Sequence, residues 1–294
     1  MDRSKPSRRQ PASGRASHGS RECRFVKNRA GAILTCLAVL AGSARGAGLN
    51  TDVALTPPKD GWILRVQWRY SRLFDDPTPL DREVHRSVQP ITFVYGATEN
   101  LAILGTVPVT YQEIEFGSGA MQTDTGVGDI TLLGKYRFFQ DDKPGRTTRW
   151  AVIGGLEVPT FDDNFSSESF DPIIGTVFTH QRLGWWIDWD VLYKFNTAGG
   201  DAGDDELRAD IAYSHRLVGG ESEITGPWGL YAIAEINARY LTDGSAQAFG
   251  SPGLQYITPN LILEAGVQFP IGQDLKSPRL ETDYTVVLSL RVQF

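Results

Sequence analysis

Trp62-Ile63-Leu64-Arg65-Val66-Gln67-Trp68-Arg69-Tyr70-Ser71 decides how the chain is read. Trp62, Leu64, Val66, Trp68 and Tyr70 share one parity, while Arg65, Gln67, Arg69 and Ser71 share the other. A period of two belongs to a β-strand with one apolar and one polar face. The polar face carries charge at mid-strand, and aromatic rings bracket the apolar one.

The same alternation recurs outward from this stretch. Ile130, Leu132, Gly134, Tyr136 and Phe138 oppose Asp129, Thr131, Lys135 and Arg137, and Trp150, Val152, Gly154, Leu156 and Val158 oppose Arg149 and Glu157. Trp185, Ile187, Trp189, Val191, Tyr193 and Phe195 oppose Asp188, Asp190, Lys194 and Asn196. Leu207, Ala209, Ile211 and Tyr213 oppose Arg208, Asp210, Ser214 and Arg216, and the run Trp228 to Tyr240 opposes Glu235, Asn237 and Arg239. The pattern predicts strands at about 61–74, 86–97, 101–116, 127–139, 148–159, 172–181, 184–196, 206–217, 227–242, 252–258, 261–269 and 282–294. Pro90 weakens the second, since proline donates no ladder bond; the sixth is mixed and the tenth short.

Links after the even strands are short, as at Thr98-Glu99-Asn100, Arg182-Leu183 and Pro259-Asn260. Links after odd strands are longer and rich in Gly, Ser and acids, such as 160–171 and 197–205. The intermediate turns 140–147 and 218–226 blur the contrast without reversing it. Twelve strands, an even number, with short turns on one rim and long loops on the other, predict an all-β fold: a transmembrane antiparallel up-and-down β-barrel over 61–294.

The leading segment agrees. Residues 1–29 are basic, and an apolar run from Ala30 to Ala41 follows, too short for a spanning helix but suited to the core of a secretory signal peptide. Ala44 and Gly46 satisfy the cleavage rule, with Gly42 and Ala44 as a second choice, so the mature start is expected at Ala47 or Arg45. Val26-Lys27-Asn28-Arg29 would make an ordinary basic start, which puts an alternative initiation at Val26. A lipoprotein reading fails on Thr35 and the early position of Cys36. Residues 1–46 are therefore expected to be removed, and 47–60 to form a periplasmic N-terminal segment.

Of 29 Lys and Arg, ten lie in that leader, against only Asp2 and Glu22. The remainder is strongly acidic, which argues against nucleic acid as a partner. Both cysteines, Cys23 and Cys36, are also in the leader, leaving the mature chain without disulfide, thiolate or Cys metal site.

Alternation alone also describes a soluble sandwich. The apolar parity, however, carries Trp62, Trp68, Tyr70, Tyr111, Trp150, Trp185, Tyr193, Phe195, Trp228, Tyr240, Tyr284 and Phe294. Aromatics near strand ends suit membrane interfaces, and barrel closure leaves no unpaired backbone edge in hydrocarbon. The expected surroundings are outer-membrane lipid and lipopolysaccharide. Tyr284, Val286, Leu288, Leu290, Val292 and Phe294 alternate up to the terminal carboxylate, which resembles the signal read by the barrel-assembly machinery. The inward parity collects Arg65, Arg69, Lys135, Arg137, Arg149, Lys194, Arg208, Arg216, Arg239 and Arg291 against Asp129, Glu157, Asp188, Asp190, Asp210, Glu235 and Glu264. These are the expected lumen-lining residues, with crossing ion pairs filling a narrow barrel.

Several stretches carry a resemblance: Gly48-Leu49-Asn50-Thr51-Asp52-Val53-Ala54-Leu55-Thr56-Pro57, Val107-Pro108-Val109, Gly126-Val127-Gly128-Asp129 leading into Lys135-Tyr136-Arg137-Phe138, and Gly253-Leu254-Gln255-Tyr256 with Glu264 and Val267-Gln268-Phe269-Pro270. Together they resemble the outer-membrane transporter family named for the MetA pathway of phenol degradation. The resemblance implies a barrel and passage of small, often aromatic or hydrophobic, compounds.

Other motifs favour structural readings. Gly126-x-Gly-Asp129 has no following helix to present to phosphate and reads as a turn entering a strand. Asp162, Asp163, Asn164, Ser166 and Glu168 resemble a calcium loop, but Ser167 stands at the glycine position and Ile173 at the closing glutamate. Gly199-Gly200-Asp201 is one imperfect copy of a calcium nonapeptide. Ser214 and His215 face opposite ways, His85 and His180 lack sequence-local partners, and Asp188 and Asp190, roughly 7 Å apart on one face, read as lumen charges. No catalytic residue, metal site or cofactor is expected. The sequence thus favours a channel for an unidentified small-molecule solute; the alternative is a closed structural barrel whose loops bind partners without transport.

Overall fold

The computed structural model describes residues 48–160, 165–198, 203–219 and 228–294. The leader 1–46, the acidic run Asp162, Asp163 and Asn164, and Gly199-Gly200-Asp201 lie outside these residues. No helix among the described residues is long and apolar enough to cross a membrane.

The strands are β1 (Trp62–Phe74), β2 (Glu83–Gly96), β3 (Leu101–Glu115), β4 (Met121–Val127), β5 (Ile130–Lys143), β6 (Arg146–Val158), β7 (Asp171–Arg182), β8 (Trp185–Lys194), β9 (Glu206–Gly219), β10 (Gly229–Leu241), β11 (Ala246–Ile257), β12 (Leu261–Asp274) and β13 (Glu281–Gln293). Neighbours pair antiparallel in chain order, and β1 pairs with both β2 and β13, closing the sheet. β4 and β5 both pair with β3 and together make one stave. The barrel therefore has twelve staves, and every expected strand is present.

Its boundaries differ instructively. The fourth expected strand begins at Met121 and breaks at Gly128-Asp129. Pro108, which has no N–H to donate, stands where β3 exchanges partners, between Thr106↔Thr131 and Val109↔Val127. Gly128 N donates to Pro108 O (3.0 Å), and the Asp129 carboxylate accepts from Ser167 N (2.8 Å) and Thr160 N (3.2 Å). The stretch expected to be a turn entering a strand is thus a break within one, and it anchors the loop after β6. Pro90 sits opposite Pro108, and the β1–β2 ladder skips it between Val66↔Ile91 and Arg69↔Val88.

The expected turn 140–147 contracts to Pro144-Gly145, with Gly145 at φ 73°, a conformation glycine supplies without strain. β11 starts at Ala246 and β12 runs to Asp274, which shortens two expected long loops to 242–245 and 275–280. Most of 218–226 is outside the described residues.

Outward positions are apolar and open, among them Leu132 (48%), Val152 (45%) and Ile236 (53%). Aromatics gather near both rims. Trp62 lies beside Tyr95 (4.5 Å) and Trp228 beside Tyr256 (5.9 Å) toward the short-turn rim, and Tyr70 beside Tyr284 (6.3 Å) toward the long-loop rim, each pair with tilted rings. On the long-loop rim, Arg82 binds Asp76 (2.6 Å) and Pro278 O (3.1 Å), and Arg279 binds Asp204 (2.7 Å) and Asp243 (3.1 Å), clasping neighbouring loops. The Arg82 hydrogen bonds hold the Asp76 carboxyl well below the usual carboxylate range.

Candidate functional site

The inward face of the barrel is where the sequence concentrates its charge, and the structure adds a further occupant. Residues 47–60 were expected in the periplasm. Residues 48–56 instead run inside the ring of strands as an extended thread, because their peptide groups meet side chains projecting from the wall.

Arg65 Nη2 donates to Leu49 O (2.9 Å) and Gly48 O (3.2 Å), and Gln67 Nε2 also donates to Leu49 O (2.9 Å). Asn50 donates from its backbone and its side chain to Glu235 Oε2, each at 3.0 Å, and from its side chain to Asn237 Oδ1 (3.1 Å). Asp52 N donates to Asp190 Oδ2 (2.6 Å), and its carboxylate faces Lys135 Nζ (3.1 Å), which also donates to Val53 O (2.8 Å). Ala54 N donates to Thr179 Oγ1 (2.9 Å). Arg137 holds Thr56 Oγ1 (2.8 Å) together with Glu99 O (2.6 Å) and Asn100 Oδ1 (2.8 Å), tying the thread to the β2–β3 turn. Leu49 fits against Gly253 and Gly266, which face each other across β11 and β12; a Cβ on Gly266 would stand 2.2 Å from Leu49 Cδ1.

The remaining charged candidates form a wall around these contacts. The fully buried Glu264 carboxylate takes Arg65 (3.0 Å) and Arg291 (3.3 Å), and Arg208 pairs with Asp210 (3.2 Å) and approaches Asp190 (3.9 Å). Arg239 pairs with Glu206 (3.2 Å) and Lys194 with Glu157 (3.1 Å). Asp188 is completely buried opposite Thr179. Arg149 reaches Asp142 (3.1 Å) toward the short-turn rim, Arg216 packs beside Gly219, and Asp129 serves the β6–β7 loop. Six candidates therefore touch the thread directly: Arg65, Arg69, Lys135, Arg137, Asp190 and Glu235.

Parity reasoning missed the apolar part of the interior. Trp186 and Tyr231 meet with tilted rings, centroids 4.5 Å apart, and cluster with Ile257 and Ile262, while Ala54 of the thread joins Ala151, Ile153, Val177 and Leu192. The adjacent pair Trp185-Trp186 held the signal, since one of two consecutive tryptophans in a strand must face inward. Ser214 is buried and His215 exposed; His85 meets Tyr70 OH (2.8 Å) and His180 meets Thr148 Oγ1 (2.8 Å). Among the described residues no group of three His, Cys, Asp or Glu is placed to hold a metal ion.

On the long-loop side of the thread lies a vestibule of about 400 Å³, lined by Asn50, Arg69, Arg208, Arg239, Phe249 and Gln268 among others. A closed antiparallel barrel with an apolar exterior, aromatic rims and a charged interior is a transmembrane β-barrel of the bacterial outer membrane. The family model described as "Putative MetA-pathway of phenol degradation" matches residues 80–278, more than half of the chain, and the chain belongs to that family. Among solved structures, the COG4313 outer membrane channel from Pseudomonas putida F1 superposes with a TM-score of 0.56 at 12% identity, covering 85% of this chain and 100% of that one. The β domain of the Bordetella autotransporter BrkA has a TM-score of 0.47 at 11% identity, covering 80% of this chain and 99% of that one. No curated protein matches the chain.

Proposed function

We propose that the protein is an outer-membrane channel for small aromatic or hydrophobic molecules, and that the thread at 48–56 sets how far its lumen is open. The observation that carries this reading is how the thread is held. From Gly48 to Ala54 its main-chain groups bond side chains of the wall, such as Arg65, Glu235, Asp190, Thr179 and Lys135, and Thr56 Oγ1 donates to Glu99 O in the β2–β3 turn, so the thread pairs with no neighbouring strand. A segment held this way can leave locally while the staves stay paired. Family membership and the likeness of fold to an outer membrane channel support the reading. Release of the thread would uncover the apolar cluster of Ala151, Ile153, Val177 and Leu192 on which Ala54 sits, a surface that an aromatic solute prefers over a purely charged one.

The test is conductance in planar bilayers and solute flux into vesicles, comparing the mature barrel with a variant lacking 48–56. The expected result is a small conductance that rises on removal of the thread, with faster entry of phenol-sized solutes. A barrel that stays silent with and without the thread would instead be the closed structural form whose loops meet partners.

A further inference from the structure

Four arginines, Arg65, Arg69, Arg208 and Arg239, line the vestibule with one carboxylate, Asp210, and the carboxylates of Glu264, Glu206 and Glu235 contact that lining from behind. Arg65 is answered by Glu264 (3.0 Å), Arg208 by Asp210 (3.2 Å) and Arg239 by Glu206 (3.2 Å). Arg69 differs. Its Nη1 donates to Asn50 Oδ1 (2.5 Å) and its Nη2 to Gln268 Oε1 (3.3 Å), both neutral amides. Among the described residues no carboxylate lies within 4.0 Å of it. Glu235, bridged to Arg69 through Asn50, is within electrostatic reach, and against it Arg65, Arg208 and Arg239 add like charge. A half-buried guanidinium has five donors in a planar fork matched to a carboxylate, and such a charge normally has an anionic partner.

The pocket in front of Arg69 can accommodate one. At about 400 Å³ it falls within the range of roughly 300–1,000 Å³ typical of small-molecule sites. Phe249 and Pro90 supply an apolar wall, and the Arg208 and Arg239 side chains keep 40% and 50% exposure toward the space. Charge on one side and an aromatic face on the other select a ligand with the same two ends.

We infer that this vestibule is a binding site for an aromatic carboxylate, its carboxylate on Arg69 and its ring toward Phe249. The inference deepens the channel reading, on which it rests for the idea that solutes reach the pocket, and names the solute class. Arg239 and Arg208 draw the anion in from the long-loop side, and the thread, through Asn50, forms the floor against which it stops. Because Asn50 is itself a partner of Arg69, a carboxylate arriving there competes for the same donor and loosens that end of the thread.

Calorimetric titration of the mature barrel in non-ionic detergent with benzoate tests this. Benzamide serves as the neutral isostere and sodium sulfate as the inorganic anion. Benzoate should bind saturably, benzamide at least about tenfold more weakly, and sulfate should fail to displace benzoate at equal concentration. Arg69→Gln should weaken benzoate at least about tenfold, as expected for loss of a hydrogen bond to a charged group. Equal affinity for benzoate and benzamide, displacement by sulfate, or unchanged binding in Arg69→Gln overturns the site. The ligand comparison uses the unaltered protein, so it decides the matter even where R69Q does not fold. Saturable benzoate binding by a barrel that carries no current supports the site and sinks the channel reading; current without benzoate binding overturns the site and leaves the channel.

Discussion

Replacing Asp52 by asparagine removes the charge that answers Lys135 while leaving the size of the side chain almost unchanged. The Lys135 side chain is only 4% exposed and that of Asp52 30%. Breaking a buried pair by removing one partner costs roughly 3–5 kcal/mol. Lys135 keeps Val53 O at 2.8 Å as an acceptor, and Asp52 is partly wetted, so the loss is better set at about 2 kcal/mol. That energy falls on the equilibrium between a seated and a released thread, where about 1.4 kcal/mol is tenfold, giving a shift of roughly 30-fold. The stave pairing is untouched, so the temperature at which the barrel loses its heat-modifiable mobility on gels should move little. Single-channel recording should show Asp52→Asn spending up to about 30-fold more time in a high-conductance state. Lys135→Met added to it should leave less buried charge unanswered and restore barrel behaviour toward wild type. Identical currents for Asp52→Asn and wild type, at equal amounts of folded protein, would refute the reasoning.

Ile236→Arg or Leu132→Arg, on the outward face, should destabilise the barrel by roughly 2–4 kcal/mol in denaturant titrations of vesicle-inserted protein, whereas Arg239→Leu should chiefly alter conductance; equal tolerance on both faces would point to a register slipped by one residue. Gly266→Ala should force Leu49 out of its seat, with an overpacking cost of about 1–3 kcal/mol, and raise conductance as Asp52→Asn does, with Leu49→Ala restoring the closed behaviour. The Asp76 carboxyl is lowered by Arg82, so the clasp contributes fully above the ordinary value of 3.8 and is lost as pH falls toward the lowered one; loop 75–82 should resist protease from pH 5 to 8 and yield to pepsin at strongly acid pH, while Asp76→Asn should let trypsin cut after Arg82 at pH 8. Deleting Phe294 removes both ends of the exchange with Trp62, N to O at 2.9 and 3.2 Å, and should lower the amount of folded barrel in the outer membrane while secretion continues; normal levels would show that the terminal residue is dispensable.

The staves were legible because each one obeys the same two-faced rule wherever lipid lies on one side. Trp62 to Tyr70 or Trp228 to Tyr240 could be placed from parity alone. The interior was less legible because its composition is set by a neighbour that parity does not see. Ile153, Val177 and Leu192 lie on the polar parity yet are apolar, since Ala54 of the thread covers them. The thread itself has no period to read: its residues are extended, but their partners come from β1, β5, β7, β8 and β10 in turn. Gly128 and Pro108 were visible as residues, but the break they make depends on their standing side by side, which only the register of β3 reveals.

The thread also imposes an order on biogenesis. Gly48 and Leu49 lie close in sequence to their β1 partners Arg65 and Gln67, whereas Asn50 and Asp52 wait for Glu235 and Asp190, far along the chain. The first residues of the described chain are thus the last to find all their partners, although they are joined directly to the first stave. When β13 zips onto β1, the ring closes around a segment that is already tethered beside that seam, so residues 48–56 are enclosed as the barrel forms and need not be drawn into a finished pore.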